Sequence, residues 1–307
     1  METTFIDWLR GRVAADPRLE VALGDDAAVL RPPAGRRTVV TVDMLTEGVD
    51  FLLGAGASPR AVGHKALAVN LSDLAAMGAR PEAAVIAVAL PRVGAAALAR
   101  ELFEGIAPLA ARFGVAIAGG DTNTWDGPLV VSVTVLGSVL PGAAWRRDGA
   151  RPGDLLVVTG PCGGSLLGRH LDVAPRCQEA LEIADRFAVH AAIDVSDGLS
   201  LDLDRLLHAS GVGATLHLAD VPIHDDARRA AAEDGRSPLD HALGDGEDFE
   251  LVLALPAADA RALVAAPPGS LRPAIIGAVT AGAGIEAVAA DGSRRPLEPR
   301  GWIHGGG

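Results

Sequence analysis

Acidic residues recur at the ends of strands or in turns beside glycine at five separated places in the chain: GDDAA (24–28), VDML (42–45), GGDT (119–122), IDVSDG (193–198) and GDGEDFEL (244–251). A sixth acid, Asp73, lies in GHKALAVNLSDLAAMG, where Asn70 and Asp73 are three apart and share one face of a helix. Each stretch alone reads as ordinary turn chemistry, and Asp197 or Ser196 could simply cap the helix that follows them. As a set they mean more. The ends of strands in α/β proteins are where ligands bind, and here they would bring several carboxylates toward one crevice. In a chain of formal net charge −12, converging carboxylates need cations. His and Cys are nearly absent from these stretches, which disfavours zinc or iron and points to oxygen-only coordination of Mg²⁺ or Mn²⁺. No stretch follows the calcium-loop pattern with a Glu at its twelfth position. Divalent ions held by several Asp residues usually handle phosphates.

The common nucleotide motifs are absent: there is no G-x-x-x-x-G-K-[ST], no protein-kinase set and no G-x-G-x-x-G. TGPCGGSLLG (159–168) has two readings. Its backbone N–H groups could cradle a phosphate, or its glycines could serve close packing. Lys65 is the only lysine, so it is either a leftover of Arg-biased usage or a place where a compact ammonium is needed and a planar guanidinium would not fit.

These residues must be positioned by a chain of 307 residues, enough for two domains with full cores. Aromatics are 3% with no Tyr, so the core falls to Ala, Val, Leu and Ile. Basic residues are scattered rather than clustered, which argues against nucleic-acid binding. No apolar run reaches the ~20 residues of a membrane span, METTFIDWLRGRVAADP reads as a short amphipathic helix, and two cysteines outside any C-x-x-C spacing read as free thiols, so a cytoplasmic protein is expected.

Strands are expected at 38–43, 82–90 and 128–139, helices at about 59–77 and 94–113 (the latter kinked at Pro108), and GVAIAGGDT as a strand running into a tight glycine turn. After a Pro/Gly/Arg-rich junction at 140–154, a second series offers strands in DLLVVTG, HAAIDV, ATLHL, FELVLALP and AIIGAVT, with helices at about 198–209 and near 258–266. The fold class is therefore α/β with mixed, α+β-like sheets in two domains, 1–140 and 150–307. The polyglycine end is expected to fray.

Taken in order, GDDAAVL, TVDMLTEGVDF, HKALAVNLSDLAAMGARP, GGDT, RRDGARPGD, AIDVSDGLSLDL, GEDFEL and the terminal GWIH cover nearly the whole chain and resemble the thiamine-monophosphate kinase family, in the superfamily of aminoimidazole ribonucleotide synthetase and selenophosphate synthetase. The resemblance implies an ATP-dependent phosphotransferase that makes thiamine diphosphate by in-line transfer with several Mg²⁺ ions. It implies a two-domain aminoimidazole ribonucleotide synthetase-like fold and a homodimer. The N-terminal ATP/Mg-binding half pairs across the two-fold, and the C-terminal half closes the active-site cleft. Carried over by position, the metal ligands are Asp26, Thr41, Val42 through its backbone oxygen, Asp43, Asp73, Asp121, Asp194 and Asp197. The catalytic set is Asp43, Asp73 and Asp121. ATP contacts are Gly120, Asp121, Arg147 and Ser196, and acceptor contacts are Asp50, Glu247 and Trp302.

Three positions depart from the family pattern: Asp50 where His is common, HLDVAPR (170–176) where an Arg-Pro version is common, and Asp245 where glycine is usual. All fall on the acceptor side. Two alternatives keep the fold: another ATP-dependent synthetase of the superfamily, or a non-catalytic nucleotide-binding homologue. Selenide chemistry would call for a reactive Cys near the N-terminus, whereas the first cysteine is Cys162.

Overall fold

A computed structural model of the chain describes residues 2–54 and 56–303; His304 of the GWIH motif and the terminal glycines lie outside them. The chain divides into two compact units, one of residues 1–74, 79–143 and 171–177, the other of 75–78, 144–170 and 178–307.

The first unit contains α1 (Glu2–Arg10), β1 (Leu19–Val21), β2 (Val29–Leu30), β3 (Arg37–Thr46), most of α2 (Pro59–Ala76), β4 (Arg80–Pro91), α3 (Ala95–Phe113), β5 (Ala116–Trp125) and β6 (Val130–Val139). Helix α2 is buried on most of its surface, and its Val62, Leu67, Leu71 and Leu74 are fully buried. Each such side chain contributes about 1.5–3 kcal/mol relative to exposure. Helix α3 continues through Pro108, which costs it one backbone hydrogen bond, and stops at Gly114 in a left-handed conformation.

Strands β3, β6, β4 and β5 form a four-stranded sheet in that order, antiparallel except for β4 with β5. Register runs straight across it: Asp43 pairs with Val133, Val133 with Ile86, and Ile86 with Gly120. Asp121 instead pairs with Ala87, Ala87 with Ser132, and Ser132 with Met44. Directly opposed residues share a face and consecutive residues alternate, so Asp43 and Asp121 belong to opposite faces of the sheet. The Asp43 face carries buried Val131, Val133 and Val135. On the other face Val40, Val42 and Met44 of edge strand β3 are 61%, 61% and 64% exposed. Only one end of that face is covered, where Leu19, Ala28 and Leu30 pack on Ala83, Ala116 and Ala118.

GGDT is therefore not a turn, as the sequence suggested, but the middle of β5. Gly120 is needed there because a Cβ would sit 1.9 Å from the carbonyl oxygen of Ile86 on the neighbouring strand. The glycine serves close strand approach rather than chain reversal.

The second unit holds β7 (Leu155–Val158), α4 (Cys177–Arg186, from its second residue), β8 (Ala191–Asp194), α5 (Leu199–Ser210), β9 (Gly213–His217), α6 (Asp225–Asp234), α7 (Pro238–Gly244), β10 (Leu251–Leu255), α8 (Ala257–Ala265), β11 (Ala274–Thr280), β12 (Gly284–Val288) and β13 (Arg294–Leu297). Its sheet runs β13-β12-β9-β11-β7-β10-β8, and only the β9–β12 pair is parallel. Every residue of β10 is buried, as a central strand with an unbroken apolar run should be. Pairing of Leu251 with Asp194 sets the end of β8, and the SDG loop after it, beside the GEDFEL segment.

Candidate active site

In the first unit the sheet face of Asp43 is met by Asp73 from α2, to which the Thr41 hydroxyl donates a short hydrogen bond. The Asp43 carboxyl is pushed up to about 7, first by burial and then by the negative charges of Asp73 and Asp50. Acids that crowd each other in this way, with only hard oxygen donors among them, suit a divalent cation such as Mg²⁺. Asp50 has a structural task as well, since its Oδ2 accepts the backbone N–H of Thr46 at 2.7 Å and closes the turn after β3. Lys65 is fully buried and its Nζ donates to the carbonyl oxygen of Asp50 at 2.8 Å, which favours the compact-ammonium reading. Asn70 is buried and donates to the carbonyl of Ala66 at 3.0 Å within its own helix. Val42 points its side chain to the open face, leaving only backbone for a ligand, and Asp26 lies on an exposed loop. Asp121 is exposed on the face opposite Asp43. Among the described residues, no three His, Cys, Asp or Glu side chains of one chain form a ready-made metal centre.

In the second unit Asp194 ends β8, nearly buried, and the loop 195–198 follows. Neither Ser196 nor Asp197 caps α5. Asp202, one turn into the helix, accepts the N–H groups of Asp197 at 2.9 Å and Gly198 at 3.0 Å, folding the loop back over the helix start. Arg205 then bonds both carboxylates, to Asp202 at 2.7 Å and to Asp197 more closely. Its guanidinium offsets the charge at Asp197, a role the sequence reading had given to metal alone. The i,i+3 spacing of Asp202 and Arg205 was the available signal.

The same loop ties together the other predicted contacts. Glu247 N–H donates to Ser196 O at 2.7 Å, and Trp302 N–H to Asp197 O at 2.8 Å. Ser196, Asp197, Glu247 and Trp302 thus come from three remote stretches to one place. The indole of Trp302 is 55% exposed. Arg147 is exposed, and its carbonyl accepts the Ser210 hydroxyl at 2.7 Å.

The glycine loop resolves toward packing. Gly163 N–H is taken by Asp248 Oδ1 at 2.8 Å and Gly164 N–H by Asp245 Oδ2 at 2.9 Å, so carboxylates of this chain already occupy those donors. A Cβ at Gly164 would lie 2.2 Å from backbone of α6. Asp245 therefore acts as a loop clamp, itself held by His241 at 2.8 Å.

Two family models match the chain: AIR synthase related protein, N-terminal domain, over residues 24–139, and AIR synthase related protein, C-terminal domain, over 151–290. The class is thus an AIR synthase related, two-domain α/β fold. The thiamine-monophosphate kinase of Rhodopirellula baltica is 44% identical over 312 residues, spanning 99% of this chain and 98% of its own. The crystal structure of the thiamine-monophosphate kinase from Stenotrophomonas maltophilia K279a matches with TM-score 0.83 at 35% identity, covering 94% of this chain and 96% of that one. A structure described as AaThiL complexed with AMPPCP and TMP matches with TM-score 0.77 at 28% identity, covering 99% and 96%. The chain belongs to the thiamine-monophosphate kinase family.

Proposed function

We propose that this chain transfers the γ-phosphoryl group of ATP directly to thiamine monophosphate, giving thiamine diphosphate and ADP. The observation that carries this reading is the 44% identity to a thiamine-monophosphate kinase across nearly the full length of both chains. Residues 1–140 supply most of the ATP and metal contacts, and 150–307 most of the acceptor contacts.

The acceptor is a phosphate monoester whose second pKa is about 6, so it is already nucleophilic near neutral pH and needs no general base. The obstacle is repulsion. Two unit charges ~4 Å apart repel by about 4 kcal/mol at an effective dielectric near 20, and two phosphates present several such pairs. Mg²⁺, when bound, would supply the positive charge that offsets this repulsion. Asp26, Thr41, the backbone oxygen of Val42, Asp43, Asp73, Asp121, Asp194 and Asp197 would hold it, with Asp43, Asp73 and Asp121 as the catalytic set. Gly120, Arg147 and Ser196 orient ATP, so that catalysis is largely positioning. Glu247 and Trp302 receive the cationic thiamine body, by charge and by the aromatic face, and Asp50 is a further acceptor contact.

The protein works as a homodimer in the cytoplasm. The exposed Val40, Val42 and Met44 stripe on the open sheet face supports this pairing, since an exposed apolar patch invites a partner. That Asp121 lies on this same face supports a role for it at the phosphate site of the partner copy. No helix is long and apolar enough to cross a membrane among the described residues.

Incubating the protein with γ-labelled ATP, Mg²⁺ and thiamine monophosphate tests the reading. Label in thiamine diphosphate supports it. Bound ATP with no labelled product points to a nucleotide sensor, and label released only as inorganic phosphate to a synthetase-type reaction.

A further inference from the structure

Among the described residues, Glu247 and Phe249 are the only non-glycine residues with positive φ, both 52°. Gly246 before them is also left-handed, at 74°. Two side-chain-bearing residues in this conformation within three positions are costly and persist only where surroundings over-determine them. The backbone pins are visible: Glu247 N–H to Ser196 O at 2.7 Å, Phe249 N–H to Val195 O at 2.8 Å and Asp248 N–H to Val195 O at 3.2 Å. Between the two strained residues, Asp248 turns its carboxylate fully inward. Its Oδ1 accepts from Gly163 N at 2.8 Å and from Arg169 Nη2 at 2.7 Å. Arg169 also donates to Gly163 O at 3.0 Å and stands 3.5 Å from Asp226. Burial pushes the Asp248 carboxyl upward, against the lowering by Arg169 and the Gly163 N–H. Asp248 Oδ2 and Arg169 Nε remain buried without hydrogen-bond partners.

A buried, incompletely satisfied ion pair is a poor stabiliser, because an apolar pair of similar volume would often serve as well. It does give direction. We infer that Arg169 and Asp248 are positioning residues for the acceptor side: the pair locks the turn 246–249 against the glycine loop in the one backbone geometry that presents Glu247 to the thiamine body. The inference rests on the reading of Glu247 as an acceptor contact. It also gives the glycine loop a task, as the anchor of that lock rather than a phosphate cradle.

The test is a double-mutant cycle on the full-length enzyme, with KM for thiamine monophosphate, kcat, AMPPCP affinity and Tm measured for each variant. Arg169→Met is expected to raise KM for thiamine monophosphate about tenfold and to leave AMPPCP affinity within about twofold. Arg169→Lys should recover most of the loss. Glu247→Gln should raise the same KM, and the double variant should be no worse than the weaker-binding single variant. Additive losses, or a lower Tm with unchanged kinetic constants, would overturn the inference while sparing the role of Glu247. A silent Glu247→Gln would remove that role and the inference with it. If Arg169→Met fails to fold, Asp248→Asn, which keeps the shape and the acceptor for Gly163 N–H, takes its place in the cycle.

Discussion

Arg205 lays one guanidinium nitrogen against the carboxylates of both Asp197 and Asp202, and so places positive charge beside the acidic SDG loop. Any ion that takes Asp197 as a ligand must share or displace that pairing.

Arg205→Gln should accordingly lower stability by only about 1 kcal/mol, because the guanidinium is more than a third exposed and solvent screens the pair. The informative measurement is Tm against Mg²⁺ concentration. The variant, with Asp197 unopposed, should gain more from Mg²⁺ than the wild type. Equal gains would place the ion away from Asp197.

For the proposed homodimer, the opposite faces of Asp43 and Asp121 lead to a second expectation. Asp43→Ala and Asp121→Ala homodimers should each be inactive. Mixing and reassorting the two should restore about a quarter of wild-type activity, because half the dimers are mixed and each carries one intact site. No restoration would mean that both acids serve the same chain's site.

Gly119 and Gly120 make a matched pair for the strand assignment. Gly120→Ala places a methyl group 1.9 Å from Ile86 O and should cost about 2–4 kcal/mol. Gly119→Ala meets nothing within 4 Å and should stay within about 1 kcal/mol of wild type. Denaturant melts of both variants check this, and equal costs would argue for a turn instead of a strand.

Much of this arrangement was legible in the sequence where the signal is local. β3, β6 and β10 follow from β-branched or unbroken apolar runs, and α2 ends at Gly78 because a left-handed residue is needed there, packed under Trp145. The polar helix α6, DDARRAAAED, carried no apolar stripe strong enough to announce it. What could not be read is long-range. Nothing near GGDT says that Ile86 will lie against Gly120, and nothing near GPCGGS says that acids some 80 residues away will claim its N–H groups. The face on which Asp121 emerges depends on strand order and a register shift between Ala84 and Val85, neither of which is written locally. Motif resemblance gathered the site residues into one set, while the pairing pattern decided which of them share a side.

Mn²⁺ binding to the AMPPCP complex, followed at pH 6 and pH 8 in the wild type and in Asp43→Asn, tests the cation cradle most directly. Asp43, pushed up to about 7, holds a proton at pH 6 that the ion must displace and is mostly ionised at pH 8. Wild-type affinity should therefore rise about tenfold between the two pH values beyond the titration of the nucleotide itself. In Asp43→Asn that extra step should vanish and affinity at pH 8 should fall by about tenfold or more. The same Mn²⁺ affinity and the same pH dependence in both proteins would contradict the account.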